Sequence, residues 1–143
     1  MTFFLDSGLK MSFDIKTLEG EKSLQLNKKN LAFLAANPGL FNNEVNSVFL
    51  SENQLKTLPP NLFEDCTELT FLYLNHNRLT YLPPKIFKNC KKLKYLHVEN
   101  NDMKKLYLPL ELNHDNFELS KDPQTEIIFY EVRGKKTIYY NSK

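Results

Sequence analysis

Hydrophobic positions in the middle of the chain recur with one fixed spacing. Apolar residues occupy the same places in three consecutive units of 24 residues, which begin at Val45, Leu69 and Leu93. Each unit opens with a short stretch of alternating apolar and polar residues, as expected of a strand with one buried face. The pattern therefore predicts a stack of similar coils, each too small to form a core alone.

Each unit also carries special residues at fixed places. An asparagine closes the alternating stretch at Asn53, Asn77 and Asn101, and a Leu-Pro pair, a Phe and a Cys follow in the first two units. An asparagine amide at a bend can bond backbone groups that the strand leaves unpaired, so these three are predicted to be structural. Cys66 and Cys90 hold equivalent places and are predicted to be small buried residues, not a disulfide.

These residues form the motif LxxLxLxxNxLxxLPxxxFxxC, which is clear from Val45 to Leu106. The motif resembles the 24-residue typical subclass of leucine-rich repeats. The resemblance implies an α/β leucine-rich-repeat solenoid, a short right-handed horseshoe in which each coil adds one strand to a parallel concave sheet of about four strands. Stacked coils would form the core, with inward residues at alternate strand positions: Val48, Leu50, Leu72, Leu74, Leu96 and Val98.

The segments that flank the clear repeats are predicted to cap the stack. We expect a single domain over residues 1–143, with an N-terminal cap at 1–22, repeats at 23–106 and a C-terminal cap at 107–143. Caps are expected because the terminal coils of a solenoid would otherwise expose apolar surface.

Local patterns within these flanks predict particular elements. Ser23–Phe41 is interpreted as a degenerate first coil, in which Asn30 followed by LAFLAA predicts a short helix. The alternation over Leu9–Ile15 predicts a capping strand, and TEIIFYEV and KTIYY on either side of Arg133–Lys135 predict a β-hairpin. Leu110–Leu119 echoes the repeat but begins too early to be a regular next coil. An excerpt from a longer repeat protein stays an open alternative.

Composition narrows the class of protein. The chain has 143 residues, with 24 leucines, 16 asparagines, 17 lysines, two arginines and a formal net charge of +2. This charge is small for a nucleic-acid-binding protein, and no stretch approaches the roughly 18 apolar residues that span a membrane. Met1–Lys10 lacks the features of a secretory signal, so we expect a cytosolic protein or one delivered without a signal peptide.

The outward positions of the concave strands form the candidate binding site. Five of them carry rings: Phe49, Phe71, Tyr73, Tyr95 and His97. Stability does not require apolar residues on that face, so these rings are predicted to anchor a partner protein. A polar rim is predicted to add charge selectivity: Glu52, His76, Arg78, Glu99 and Asp102. The alternative is that the rings only stack across strands, or lie under a cap.

No catalytic, cofactor-binding or metal site is predicted. The histidines of the repeats are expected to point outward and the thiols inward, so they cannot converge on a zinc ion or form a Cys–His nucleophile pair. Four scattered glycines cannot form a phosphate-binding loop. The chain is therefore expected not to be an enzyme.

Lysines cluster in the second and third units: Lys85, Lys88, Lys91, Lys92 and Lys94. We interpret the cluster as a solvated flank, with weak contact to an anionic membrane surface as the lesser alternative. Nucleic acid is disfavoured as a partner because the lysines and the aromatic residues are expected on different faces.

The sequence thus predicts a monomeric, non-enzymatic module that binds a protein through its concave aromatic face and regulates or inhibits a partner enzyme by covering its surface. The alternative is an excised recognition or structural domain of a longer repeat protein whose activity lies elsewhere. The lysine-rich and asparagine-rich composition, together with the repeats, resembles short leucine-rich-repeat effectors of intracellular bacteria such as Legionella, and the composition fits lysine-rich repeat proteins of protists equally well. That resemblance implies delivery into a host cell and binding to a host protein or to another effector.

Overall fold

The computed structural model describes residues 2–4, 10–12, 15–18, 20–36 and 39–141, the first three segments as backbone only. The described residues contain no α-helix and one 3₁₀ helix, Leu110–Leu112. They contain eleven strands: β1 Thr2–Phe4, β2 Lys10–Ser12, β3 Ile15–Leu18, β4 Glu21–Gln25, β5 Val45–Phe49, β6 Phe71–Tyr73, β7 Tyr95–His97, β8 Lys105–Pro109, β9 Glu118–Ser120, β10 Glu126–Arg133 and β11 Lys136–Asn141.

The largest sheet has six strands in the order β3-β4-β5-β6-β7-β9, parallel from β4 onward. Ser47, Phe71 and Tyr95 lie side by side in it, so one coil advances the chain by the predicted period. The predicted solenoid is confirmed, with five parallel strands where about four were expected. The additional strand β9 places Glu118 beside Tyr95, one residue short of the period, which concealed it in the sequence.

The core lies directly beneath this sheet. The six residues predicted to point inward, Val48 and Leu50 with their equivalents in the next two coils, are all buried. Phe63 stacks on Phe87 with ring centroids 5.9 Å apart, and Phe41 meets Phe63 edge-on at 6.1 Å. Each coil therefore buries its apolar side chains against those of its neighbours, as a solenoid requires.

The repeated asparagines tie successive coils together. Asn77 Oδ1 accepts the Leu55 N–H at 3.1 Å, while its Nδ2 donates to the carbonyls of Leu50 and Leu74 at 2.9 and 3.0 Å. Asn53 and Asn101 make the equivalent bonds in their own coils. Buried backbone groups at the bends thus find partners, and the structural role predicted for these residues is confirmed.

The helix predicted after Asn30 is wrong, because residues 31–36 are not helical. Leu31 N–H donates to Asn53 Oδ1 at 3.0 Å, and the Leu31 carbonyl accepts the Gln54 N–H at 2.7 Å. These bonds to the next coil use backbone groups that a helix would need for its own hydrogen bonds. Leu31 and Leu34 are buried, and their spacing of three residues suits the coil as well as a helix.

The N-terminal strands only partly match the expectation. Within Leu9–Ile15, the described residues 10–12 form β2 and residue 15 begins β3, while residues 9, 13 and 14 lie outside the described residues. Strand β3 pairs antiparallel with β4, and β1 pairs with β2 in a separate two-stranded sheet. The edge of the first coil is therefore covered by a strand from the predicted N-terminal segment.

The predicted C-terminal hairpin is confirmed. Strands β10 and β11 pair antiparallel across a turn at Gly134, whose φ of 62° lies in the left-handed region that glycine favours. Strand β10 also pairs in parallel with β8. Leu106, Leu108 and Ile127 from these two strands are buried in the same core as the residues of the large sheet. We call the side of the core that is covered by β8, β10 and β11 the return side.

In the last coil, Asp122 and Thr125 make the hydrogen bonds to the preceding coil that asparagines make elsewhere in the stack. Asp122 accepts the N–H groups of Asn100 and Asn101 at 2.8 and 3.0 Å, and the Thr125 hydroxyl donates to the Met103 carbonyl at 2.8 Å. The hydrogen bonds from the Asn101 and Asn100 backbone favour the charged carboxylate, and they lower the pKa of Asp122. At the last coil, the Asp122 carboxylate thus takes the acceptor role that an asparagine amide has in the earlier coils.

Substituting Asp122→Asn should lower the free energy of unfolding at pH 7 by about 1–2 kcal/mol, because one charge-assisted acceptor is lost. The pKa of Asp122 is lowered on folding, so its contribution is complete above the pH of about 4 at which an unfolded aspartate titrates, and is lost as the pH falls further. Urea unfolding between pH 2 and 7 measures both effects. Asp115→Asn, at an exposed carboxylate, is the control, and equal acid profiles for the two variants would contradict the role of Asp122.

Candidate functional site

The outer face of the six-stranded sheet, which we call the sheet face, carries two rows of side chains across the parallel strands. Strand pairing aligns the first row as Ser23, Ser47, Phe71, Tyr95 and Glu118. It aligns the second row as Gln25, Phe49, Tyr73, His97 and Ser120. All five predicted ring residues therefore lie together, half-buried, in the middle of the face. We call these five residues the aromatic surface.

Rings within each row stack on one another. The centroids of Phe71 and Tyr95 are 4.6 Å apart with the ring planes 3° from parallel, and those of Phe49 and Tyr73 are 4.7 Å apart at 5°. His97 continues the second row at 4.7 Å from Tyr73 with a tilt of 46°. The stacking alternative raised from the sequence therefore describes a real contact, which stabilises the rows.

Stacking uses the ring faces and leaves the ring edges for a partner. Rings that stand on neighbouring strands and stack in parallel present their edges, with any hydroxyl, away from the sheet. The hydroxyls of Tyr73 and Tyr95 make no hydrogen bond to another described residue. The aromatic surface can thus offer apolar edges and two hydroxyl groups, but few free ring faces.

Two residues of the predicted rim, Glu52 and His76, lie at the bend after the strands. Their backbone is left-handed, with φ of 58° and 57°, and Lys28 and Asn100 share this conformation in their own coils. Lys28 Nζ lies 3.8 Å from Glu52 Oε2, and His76 Nε2 lies 3.2 Å from Asn100 Nδ2. The coil geometry thus fixes these side chains in a row beside the aromatic surface.

The acidic part of the rim adjoins the last ring. His97 Nδ1 lies 3.6 Å from Glu99 Oε1, while the second carboxylate oxygen of Glu99 is enclosed and accepts no hydrogen bond from the described residues. Glu118 and Ser120 extend the two rows beyond the rings. Sequence reasoning missed these two residues because β9 departs from the period, although the apolar residues of the Phe117–Leu119 stretch marked a further coil.

Arg78 and Asp102 occupy the outermost predicted positions. Their backbone N–H groups donate to the carbonyls of Leu55 and Leu79, at 2.9 and 2.8 Å, so the backbone is fixed by the preceding coil. Both side chains are exposed, and neither forms an ion pair with a described residue. The rim therefore offers one cation and one carboxylate to solvent beside the rings.

The cysteines lie in the core, away from this face. Cys66 and Cys90 are free and buried, as predicted. Burial raises the pKa of each thiol to about 12, helped at Cys66 by the nearby Asp65 carboxylate. Within the described residues, no three His, Cys, Asp or Glu side chains are arranged to hold a metal ion. The same residues form no helix that could span a bilayer.

The lysine cluster is exposed and partly paired. Lys92 Nζ lies 2.6 Å from Glu68, and Lys91 Nζ lies 3.9 Å from Glu111. Lys94 Nζ lies 5.8 Å from the centre of the Tyr95 ring, at the border of the aromatic surface. Lys85 and Lys88 form no ion pair with a described residue. Exposed pairs of this kind contribute little stability, so the cluster acts mainly through its charge.

Comparison with known proteins agrees with this architecture. A leucine rich repeat family model matches residues 22–79, and a model of leucine-rich repeats in two copies matches residues 67–116. The two matches together cover residues 22–116, which are leucine-rich repeats. Domains of this family generally mediate protein–protein interactions and are typically non-enzymatic.

A solved structure of the leucine-rich repeat domain of APL1B is similar, with a TM-score of 0.60 and 23% sequence identity. The match covers 73% of this chain and 32% of the APL1B chain. At this identity the likeness concerns the fold alone. No curated protein matches the sequence.

Proposed function

We propose that this protein binds a partner protein through the aromatic surface and acts by covering part of that partner. The observation that carries the proposal is a continuous group of five half-buried rings on a face that the core does not need. The leucines beneath the sheet already supply the burial that holds the coils together. Rings retained on the opposite face of the same strands are therefore available for recognition.

The arrangement of the face has the anatomy of a protein interface. Binding energy usually concentrates in central aromatic residues surrounded by polar groups that exclude water. Here both rows begin with small or polar residues, Ser23 and Gln25, and end with Glu118 and Ser120. The charged rim beside the rings adds groups that select among partners by electrostatic complementarity.

The chemistry of the rings favours protein over nucleic acid. Single-stranded nucleic acids bind by stacking bases on free aromatic faces. The faces of Phe71 and Tyr95, and of Phe49 and Tyr73, are instead stacked on each other. The exposed edges suit aliphatic side chains, and the two tyrosine hydroxyls suit backbone carbonyls, both of which a folded protein surface supplies.

The double substitution Phe49→Ala and Tyr73→Ala should weaken binding of the captured partner by about 100-fold or more, since hot-spot residues contribute about 2 kcal/mol or more each. The test is affinity capture on the immobilised protein, followed by titration of the identified partner. Loss of the Phe49–Tyr73 stack, the Tyr73–His97 contact and the half-buried ring area should lower the unfolding free energy by about 2–4 kcal/mol, so circular dichroism checks that the variant is folded before its binding is compared.

Tyr81→Ala is the matched control, because this tyrosine is 53% exposed and lies outside the aromatic surface. It should bind the partner as the wild type does. A second variant, Tyr73→Phe with Tyr95→Phe, keeps both stacks and removes only the hydroxyls. A partner that binds the wild type and the double alanine variant equally well would refute the proposed site.

We also propose what kind of partner the protein has, where it acts and that it acts as a monomer. The partner is an enzyme of a host cell, or another effector, which this chain regulates or inhibits as a monomer in the cytosol or after delivery without a signal peptide. The support is compositional, namely 17 lysines against two arginines together with short repeats. Sedimentation of the purified chain should give a single monomeric species, and a stable dimer would contradict this part of the proposal.

A further inference from the structure

A second surface lies on the return side of the molecule, across the core from the aromatic surface. There the C-terminal hairpin faces the segments that return after Asn53 and Asn77. Between them runs a groove of about 400 Å³. Its lining is apolar apart from two lysines and the hydroxyl of a tyrosine: Pro60, Pro83, Pro84, Ile86, Tyr139, Lys85 and Lys88.

The apolar part of the groove is rigid. Proline rings have a fixed backbone φ, and the Ile86 side chain is buried in the core. Tyr139 forms the opposite wall, where it is 53% exposed and meets the Tyr107 ring edge-on at 5.9 Å. A rigid groove lined by proline and tyrosine can accept an apolar side chain with little loss of conformational entropy.

The charges of the groove select an anionic occupant. Among the described residues that line it, Lys85 and Lys88 are the only charged ones, and neither is paired with a described carboxylate. A smaller hollow of about 190 Å³ continues from Lys88 toward Glu64, and a larger one of about 600 Å³ continues toward Glu111. Glu111 is paired with Lys91, and Glu131, which lines the larger hollow, is paired with Arg133. Among the described residues, Glu64 is then the one unpaired carboxylate that borders the groove, against the two lysines, so the net charge there is positive.

We propose that this groove binds an acidic segment of a second partner protein, in which one apolar side chain is flanked by carboxylates. The apolar side chain would fill the space between the prolines and Tyr139, and the carboxylates would meet Lys85 and Lys88. This site is separate from the aromatic surface, because the two lie on opposite sides of the core. The protein would then bridge two partners.

The test uses a fluorescent peptide of eight residues, glutamates with one central phenylalanine, titrated with the protein and followed by fluorescence anisotropy. The acidic peptide should bind saturably and lose affinity as salt is added. The same peptide with lysines in place of the glutamates should not bind. Absence of saturable binding, or equal binding of the two peptides, would overturn the proposal.

Variants locate the binding. Lys85→Glu with Lys88→Glu should weaken binding of the acidic peptide at least tenfold, and Tyr139→Ser should weaken it without changing its dependence on salt. Lys29→Glu with Lys56→Glu makes the same change of charge at exposed lysines outside the groove and should leave the affinity within twofold. Equal weakening by the two double variants would show a general attraction of charge and overturn the site.

Other occupants give distinct results. Self-association in sedimentation velocity that Lys85→Glu with Lys88→Glu abolishes would assign the groove to a second copy of this chain. Binding to anionic vesicles that the same variant abolishes, without binding of the acidic peptide, would assign it to a lipid surface. Either result would overturn the assignment to an acidic protein segment, and neither bears on the aromatic surface.

Discussion

Replacing Asn77 with alanine should lower the free energy of unfolding by about 3–5 kcal/mol, because buried backbone groups lose their partners. The Leu55 N–H and the carbonyls of Leu50 and Leu74 are all within 3.1 Å of the Asn77 amide. Alanine leaves these groups without the partner that the amide supplies. Urea unfolding monitored by circular dichroism measures the loss, which is a large fraction of the stability of a small domain.

Asn89→Ala is the matched control for this prediction. Its side chain makes one hydrogen bond, to the Glu64 carbonyl at 3.0 Å, at the surface of the molecule. We expect a loss of about 1 kcal/mol or less for this variant. Asn77→Asp should also be strongly destabilising, since it keeps the acceptor but removes both donors and buries a charge. Similar stability of Asn77→Ala and Asn89→Ala would show that the asparagine hydrogen bonds between coils contribute little to the stability of the fold.

The two cysteines of the folded protein should react with a water-soluble thiol reagent at least about 1,000-fold more slowly than those of the unfolded chain. Burial raises the pKa of both Cys66 and Cys90 from 9.0 to about 12, so the reactive thiolate is about a thousand times rarer at neutral pH. Their packing in the core also excludes the reagent. Absorbance of the released chromophore gives the rate with and without urea.

Single variants make the thiol experiment decisive. Cys66→Ala and Cys90→Ala each leave one thiol, so the rate at each position is measured separately. Modification of either native thiol should be limited by unfolding and should accelerate as urea approaches the transition midpoint. Rapid modification of both thiols in the native protein would contradict their place in the core.

Repetition made most of the fold predictable from the sequence. A position that is apolar in three consecutive units, such as Val48, Leu72 and Leu96, has one interpretation when the coils stack, and all three residues are buried. The asparagines were equally clear, since an amide at a bend has few other uses. The placement of the ring residues on one face followed from strand alternation alone.

Features that depend on contacts between distant segments were not predictable in this way. Leu31 and Leu34 fit a helix and a coil equally well. The coil is favoured because Asn53 Oδ1 accepts the Leu31 N–H and the Gln54 N–H donates to the Leu31 carbonyl. Leu110–Leu119 echoes the repeat, but strand β9 is one residue out of register, so its place in the sheet follows only from its pairing with Tyr95–His97. The groove on the return side forms where Tyr139 of the hairpin meets the Pro83–Pro84 segment of another coil, which no local pattern indicates.

The match between ring stacking and strand spacing affects the thermodynamics of recognition. Parallel strands lie about 4.8 Å apart, and the ring centroids of Phe71 and Tyr95 are separated by nearly the same distance, 4.6 Å. Each ring is thus held in its rotamer by its neighbour before any partner arrives. Association would freeze few side-chain torsions here, so its entropic penalty would fall mainly on the partner.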